Sequence, residues 1–162
     1  MRKVLFIIVS IIFLFVIEFI LYQLFGRHLK LNLLLIFVIF VNLCFGIRYS
    51  LLTAFLAGFL KDSFSLHVFG MNIVSFVLCA YLTTVIKKYV YHMGSRSVRV
   101  IIVFTMCLVN FMVHYLIVSM FGSVNFLESI SRVLLPELIP TVLLTTYVIQ
   151  ELRRCVLKLS VY

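Results

Sequence analysis

Glu18, Asn32, Asp62, His114 and Glu137 are ionisable or strongly polar residues set in or beside long apolar runs. Carboxylates and an imidazole brought together can exchange protons, hold a cation or join helices by hydrogen bonds. A carboxylate inside an apolar run, as Glu18 is, needs a partner because leaving it bare in a medium of low dielectric is costly. Asn110 and His114 stand four residues apart and share one face of a helix over that stretch, where interhelical hydrogen bonding is the simplest chemistry. The 4 histidines (His28, His67, His92, His114) show no H-E-x-x-H spacing, so no metal site is expected. The 4 cysteines (Cys44, Cys79, Cys107, Cys155) include no C-x-x-C pair, and neither a zinc site nor a disulfide framework is expected. No G-x-S-x-G, phosphate-binding glycine loop or G-x-G-x-x-G is found, and no nucleophile stands with an evident base. The expectation is a chain without catalytic residues and without a cofactor.

The elements that must position these side chains follow from composition. Of 162 residues, 65% are apolar and 12% charged, and the mean hydropathy is +1.27. Soluble domains are about one quarter charged, so this chain has too few charges to cover a wetted surface. Lipid must be its solvent. A spanning helix needs about 20 residues to cross roughly 30 Å of hydrocarbon. Apolar segments can be drawn over residues 4–25, 31–45, 49–60, 68–86, 98–121 and 133–150. They predict an all-α polytopic membrane protein, a compact bundle of about six transmembrane helices forming a single domain over residues 1–162. Segments two and three are short, since 15 residues reach only about 22 Å. Either each extends past its polar edge, with Lys30 or Lys61 snorkelling, or the pair is partly re-entrant.

The formal net charge of +9 comes from 14 Lys and Arg against 5 Asp and Glu. Nucleic acid is excluded as a partner, because so apolar a chain has no water-exposed face to offer it. Basic residues instead report topology. With the N-terminus inside and every segment crossing, the cytoplasmic side holds Arg2, Lys3, Arg48, Lys87, Lys88, Arg96, Arg99, Arg153, Arg154 and Lys158. The outer side holds Arg27, Lys30, Lys61 and Arg132, so the division of the 14 is ten to four. Both termini are therefore expected in the cytoplasm. Arg2 and Lys3 precede a long apolar run with no small-x-small cleavage site after it, which predicts a retained anchor.

This orientation sets depths. Glu18 lies 14 residues above the inner end of helix one, about 21 Å. His114 lies 16 residues above the inner end of helix five, about 24 Å. Glu137 sits near the outer end of helix six, and Asn32 and Asp62 fall at the outer ends of helices two and three. The prediction is an intramembrane polar cluster of Glu18, His114 and Glu137 in the outer half, including a Glu18–His114 hydrogen bond. The competing account satisfies Glu18 with any nearby group and leaves Asn32 and Asp62 as wetted helix ends. Helix three also carries Ala54-x-x-x-Gly58 beside Thr53-x-x-x-Ala57, small residues that allow close approach either within the bundle or by a partner. Pro136 suits a first turn, Pro140 should kink helix six, and Glu137 between them meets the positive end of the helix dipole.

The stretch Gly58-Phe59-Leu60-Lys61-Asp62-Ser63-Phe64-Ser65, followed by Phe69-Gly70-Met71-Asn72, resembles the MreD family of rod-shape-determining membrane proteins. That family typically shows a helix ending G-x-x-x-D, a short loop and a glycine opening the next helix; Gly58, Asp62 and Gly70 hold those places. A basic-Pro-Asp or basic-Pro-Asn start to helix two is also common there, and Lys30-Leu31-Asn32 keeps the basic residue and the amide but lacks the proline. Pro140 and the basic Arg153-Arg154 agree, as does the plan of essentially the whole chain. The resemblance implies a non-catalytic part of the bacterial cell-elongation machinery, multi-pass in the cytoplasmic (inner) membrane. It would sit beside the bitopic protein MreC and work with the MreB filament, the glycosyltransferase RodA and its transpeptidase partner in lateral peptidoglycan synthesis. On that reading the Gly58 face is partner surface, and Gly58→Leu should weaken co-purification while sparing insertion. The family is similar in fold to the vitamin-binding S components of energy-coupling-factor transporters, which makes ligand binding on the outer side the alternative. Those subunits commonly carry A-x-x-x-A on helix one, where this chain has Ser10 as its single small residue.

Overall fold

The structure, a computed structural model, describes residues 2–25, 31–64, 69–90, 96–121 and 135–160. Among them the regular elements are all helices: α1 (Arg2–Phe25), α2 (Leu33–Phe45), α3 (Ile47–Ser63), α4 (Met71–Val90), α5 (Arg96–Phe121) and α6 (Leu135–Ser160). Several helices outrun the apolar segments. α4 continues through Lys87-Lys88 and α6 through Arg153-Arg154, because Lys, Arg and Glu are good helix formers and hydropathy fades before the hydrogen-bond ladder does. α3 begins directly after Gly46 and runs through Lys61-Asp62-Ser63 for 17 residues, or about 26 Å. α2 starts at Leu33, with Asn32 as its N-cap. The segment starts expected at Val68 and Val133 lie outside the described residues.

Side-chain contacts give the directions. Phe15 on α1 meets Phe64 just past α3, and Ile7, Ile11 and Leu14 before it are buried in the core, so α1 runs along the bundle parallel to α3. Ser50 on α3 donates to the Val38 carbonyl of α2, an antiparallel hairpin turned at Gly46, whose φ of 87° is left-handed and free of strain only for glycine. Ser75 and Cys79 on α4 meet Asn110 and the Met106 carbonyl of α5 in antiparallel order, and Asn110 also meets Glu137 at the start of α6. α1, α3 and α5 thus run one way and α2, α4 and α6 the other, which brings the C-terminal halves of the first set beside the N-termini of the second.

α2 is the axis of the bundle. Every residue from Leu33 to Asn42 is buried, and α2 packs against all five other helices. A helix apolar on all sides belongs in a protein interior. This resolves its shortness: its surroundings are protein, so its 13 residues need not match the bilayer. The outer helices show the opposite pattern. Ile7, Ile11 and Leu14 of α1 face the core, while Leu5, Val9, Ile12 and Phe13 are exposed on the other side. α1, α4 and α5 each hold a stretch long and apolar enough to cross a membrane, over Val4–Leu24, Met71–Tyr89 and Arg99–Met120. Such exposed apolar faces are stable only against hydrocarbon or another apolar surface.

At the end where α2 and α4 finish, polar groups serve the backbone. Asn42 donates to the Ala80 carbonyl and the Thr84 hydroxyl of α4. Lys87 reaches back to the Asn42 and Leu43 carbonyls at 3.4 and 3.0 Å. A cation there satisfies two terminal carbonyls of α2 and complements its dipole.

Candidate functional site

The opposite end holds a connected polar network around the N-terminus of α2. A buried helix start leaves amide donors without partners, and hydrocarbon offers none. Glu18 of α1 supplies one solution: its Oε2 accepts from the Leu34 amide at 3.2 Å, and its Oε1 pairs with Lys61 Nζ of α3 at 2.8 Å. The Asn32 side chain supplies another by accepting from the Leu35 amide at 3.3 Å, an N-cap bond. The Asn32 amide itself donates to Thr141 Oγ1 of α6.

Lys61 ties the pieces together. Besides Glu18, its Nζ donates to Asn32 Oδ1 at 3.1 Å and lies 5.6 Å from the centre of the Phe76 ring of α4. The Lys61 and Glu18 side chains retain 26% and 14% of their surface, so the pair sits at the rim of the bundle rather than at its axis. Asn32 Nδ2 passes the connection on to Glu137 Oε1 of α6 at 2.7 Å, and Asn110 Nδ2 of α5 donates to the same oxygen at 3.1 Å. Ser75 of α4 donates to Asn110 Oδ1. All six helices thereby contribute to one network.

A second carboxylate builds the α3–α4 joint. α4 opens after Gly70, which lies at a left-handed φ of 96° and has no side chain to cap with. Asp62 caps from across the turn. Its oxygens accept from the Gly70, Asn72 and Ile73 amides at 3.0–3.2 Å, and from Asn72 Nδ2 at 2.7 Å. One turn back along α3, Gly58 faces the α4 backbone so closely that a Cβ would fall 2.6 Å from Ile73 Cα. Gly58, Asp62 and Gly70 are therefore three parts of one joint, with Ala54 and Ala57 buried alongside. Replacing Asp62 by Ala strands these donors, and we expect a loss of about 2–3 kcal/mol in stability. Thermal unfolding of the purified variant in detergent measures it; a melting point equal to wild type would remove the capping role.

Where the sequence suggested a Glu18–His114 bond, the structure gives the two Glu18 oxygens to Lys61 and the Leu34 amide. His114 lies one turn beyond Asn110 on α5 and is half-buried. Asp62 is buried, not a wetted helix end. The Gly58 face is closed by α4 within the chain, so it is not a surface open to a partner. Glu137, Asn32 and Glu18 do come together, joined by Lys61, Asn110 and Ser75. Lys61 is a network member rather than a snorkelling edge residue, and the corresponding depths of Glu18 and Lys61 on parallel helices are the signal for it in the sequence. Pro140 lies inside α6 next to Thr141, whose hydroxyl bonds back to the Glu137 carbonyl. Among the described residues no group of three or more His, Cys, Asp or Glu could hold a metal ion.

A helical bundle with apolar outer faces and a polar network at one end, to which every helix contributes, defines a polytopic α-helical membrane protein. The sequence matches the family model of rod shape-determining protein MreD over residues 1–159, and the chain belongs to that family. No curated protein and no solved structure matches it.

Proposed function

We propose that this chain is a non-catalytic membrane component of the bacterial cell-elongation complex, binding an MreC-like bitopic protein and helping to organise lateral peptidoglycan synthesis. The observation that carries this is the family match across residues 1–159. The network supports it physically. Its carboxylates and amides bond to one another and to helix termini, an arrangement suited to fixing the shape of a bundle. MreB, RodA and its transpeptidase partner are further candidate members of the complex. We assign the chain to the inner membrane with both termini cytoplasmic, on the ten-to-four division of basic residues. The network end is then the outer side.

The test is co-purification of the tagged full-length chain with the MreC-like protein of its own host, together with depletion in rod-shaped cells. Recovery of that partner and rounding of depleted cells are the expected results. Rods of normal width after complete depletion, with no recovered partner, would end this reading.

A further inference from the structure

We propose that the end of the bundle opposite the network binds anionic phospholipid, through the basic C-terminal part of α6 and the basic first turns of α1, α3 and α5. The two ends treat their helix N-termini in opposite ways. At the network end α2 is served by Glu18, α4 by Asp62, and α6 carries Glu137 in its own first turn. At the other end the first turns of α1, α3 and α5 contain no acid. They begin with Arg2-Lys3, Arg48 and Arg96 instead, cations at the positive end of each helix dipole, which is the unfavourable placement. Lys87 is already engaged with the α2 carbonyls, whereas Arg48 and Lys88 are exposed. Glu151 is the one acidic residue in the helices at that end. The anions that balance this surface must come from outside the chain.

The course of α6 indicates which anions. Its apolar stretch ends at Gln150, but the helix continues to Ser160, ten further residues or about 15 Å. That is enough to carry it out of hydrocarbon and through the headgroup layer. Over this extension the sequence spaces Leu152, Cys155, Val156 and Leu159 by three and four residues, a helical period. They are in register with buried Ile149, and Leu152 packs against the core. Arg153, Arg154 and Lys158 fill intervening positions of the sequence. A basic amphipathic helix at the level of lipid phosphates matches anionic headgroups in both charge and depth. Positive-inside sorting requires only that basic residues lie on one side; it does not require a helix continued in amphipathic register.

The experiment uses the full chain in neutral detergent, titrated with phosphatidylglycerol or with phosphatidylcholine and followed by thermal unfolding and native mass spectrometry. Phosphatidylglycerol should raise the melting temperature and remain bound, phosphatidylcholine should do neither, and raised salt should weaken the effect. The triple change Arg153→Gln, Arg154→Gln, Lys158→Gln should reduce apparent affinity by about fivefold per charge removed, with the fold intact. Equal response to both lipids, or an unchanged preference in the triple variant, overturns the proposal. So does reproduction of the shift by inorganic phosphate, which would mark a free-anion site, or by an acidic peptide alone, which would mark a protein surface. None of these outcomes depends on partner recovery, so this inference and the proposed function can fail separately.

Discussion

Gly58→Leu is expected to abolish the folded bundle, and Gly58→Ala to weaken it clearly. At this position a Cβ would lie 2.6 Å from Ile73 Cα and 2.8 Å from Ile73 N. Both are backbone atoms, so no side-chain rotamer can relieve the clash; α3 and α4 must separate. Separation also draws Asp62 away from the start of α4 and strands the amides it caps. Overpacking alone costs about 1–3 kcal/mol for the added methyl of Ala, and stranded buried donors add about 1–3 kcal/mol more. The measurement is the yield and melting temperature of the monodisperse peak in detergent, with exposed Phe55→Leu as control. A Gly58→Leu protein that stays monodisperse and melts with wild type would show that the two helices are not in contact there. Loss of partner co-purification in this variant would therefore report unfolding. A partner contact is better sought at exposed positions such as Phe55 and Phe59.

The contrast between Gly58 and Lys61 shows how much was legible in the sequence. That α3 carries a small-residue face is written in Ala54-x-x-x-Gly58, because spacing fixes which residues share a face. Which helix meets that face is set by the rotation and order of all the helices, and no single segment encodes it. α2 shows the same division. Its unbroken apolar run announces a helix without a polar side, yet only the assembled bundle shows it enclosed, which removes the need for a re-entrant loop. Lys61 is the residue whose role hydropathy hides. Hydropathy penalises any cation equally, so it closed the segment at residue 60, although Glu18 on the neighbouring helix lets α3 continue three residues further. α1 is apolar nearly all round, so its pattern does not say toward which neighbour Glu18 points. Depth along each helix, by contrast, was readable from residue number. It brought Glu18, Asn32 and Glu137 to one end before any contact was known.

Glu18 and Lys61 should show strong energetic coupling. Removing one member of a buried ion pair leaves the other without its counter-charge, at a cost of about 3–5 kcal/mol. The remaining exposure of this pair at the bundle rim places the expected loss toward the lower figure. Lys61→Met deletes the partner of Glu18 Oε1 and a donor to Asn32 Oδ1. Glu18→Gln deletes the counter-charge of Lys61 and weakens the bond to the Leu34 amide. Each single variant should therefore be strongly destabilised. The double variant leaves no unpaired charge at the α1–α3 contact. Asn32 still caps Leu35 there, and the amide oxygen introduced by Glu18→Gln can still accept from Leu34, so the double variant should recover a large part of either loss. Replacement of a buried pair by neutral groups is often close to neutral. Melting temperatures of the four proteins in one detergent complete the cycle. Strictly additive losses would mean that the 2.8 Å contact does not govern α1–α3 packing, and the network would then have to be anchored through Asn32 and Glu137 alone.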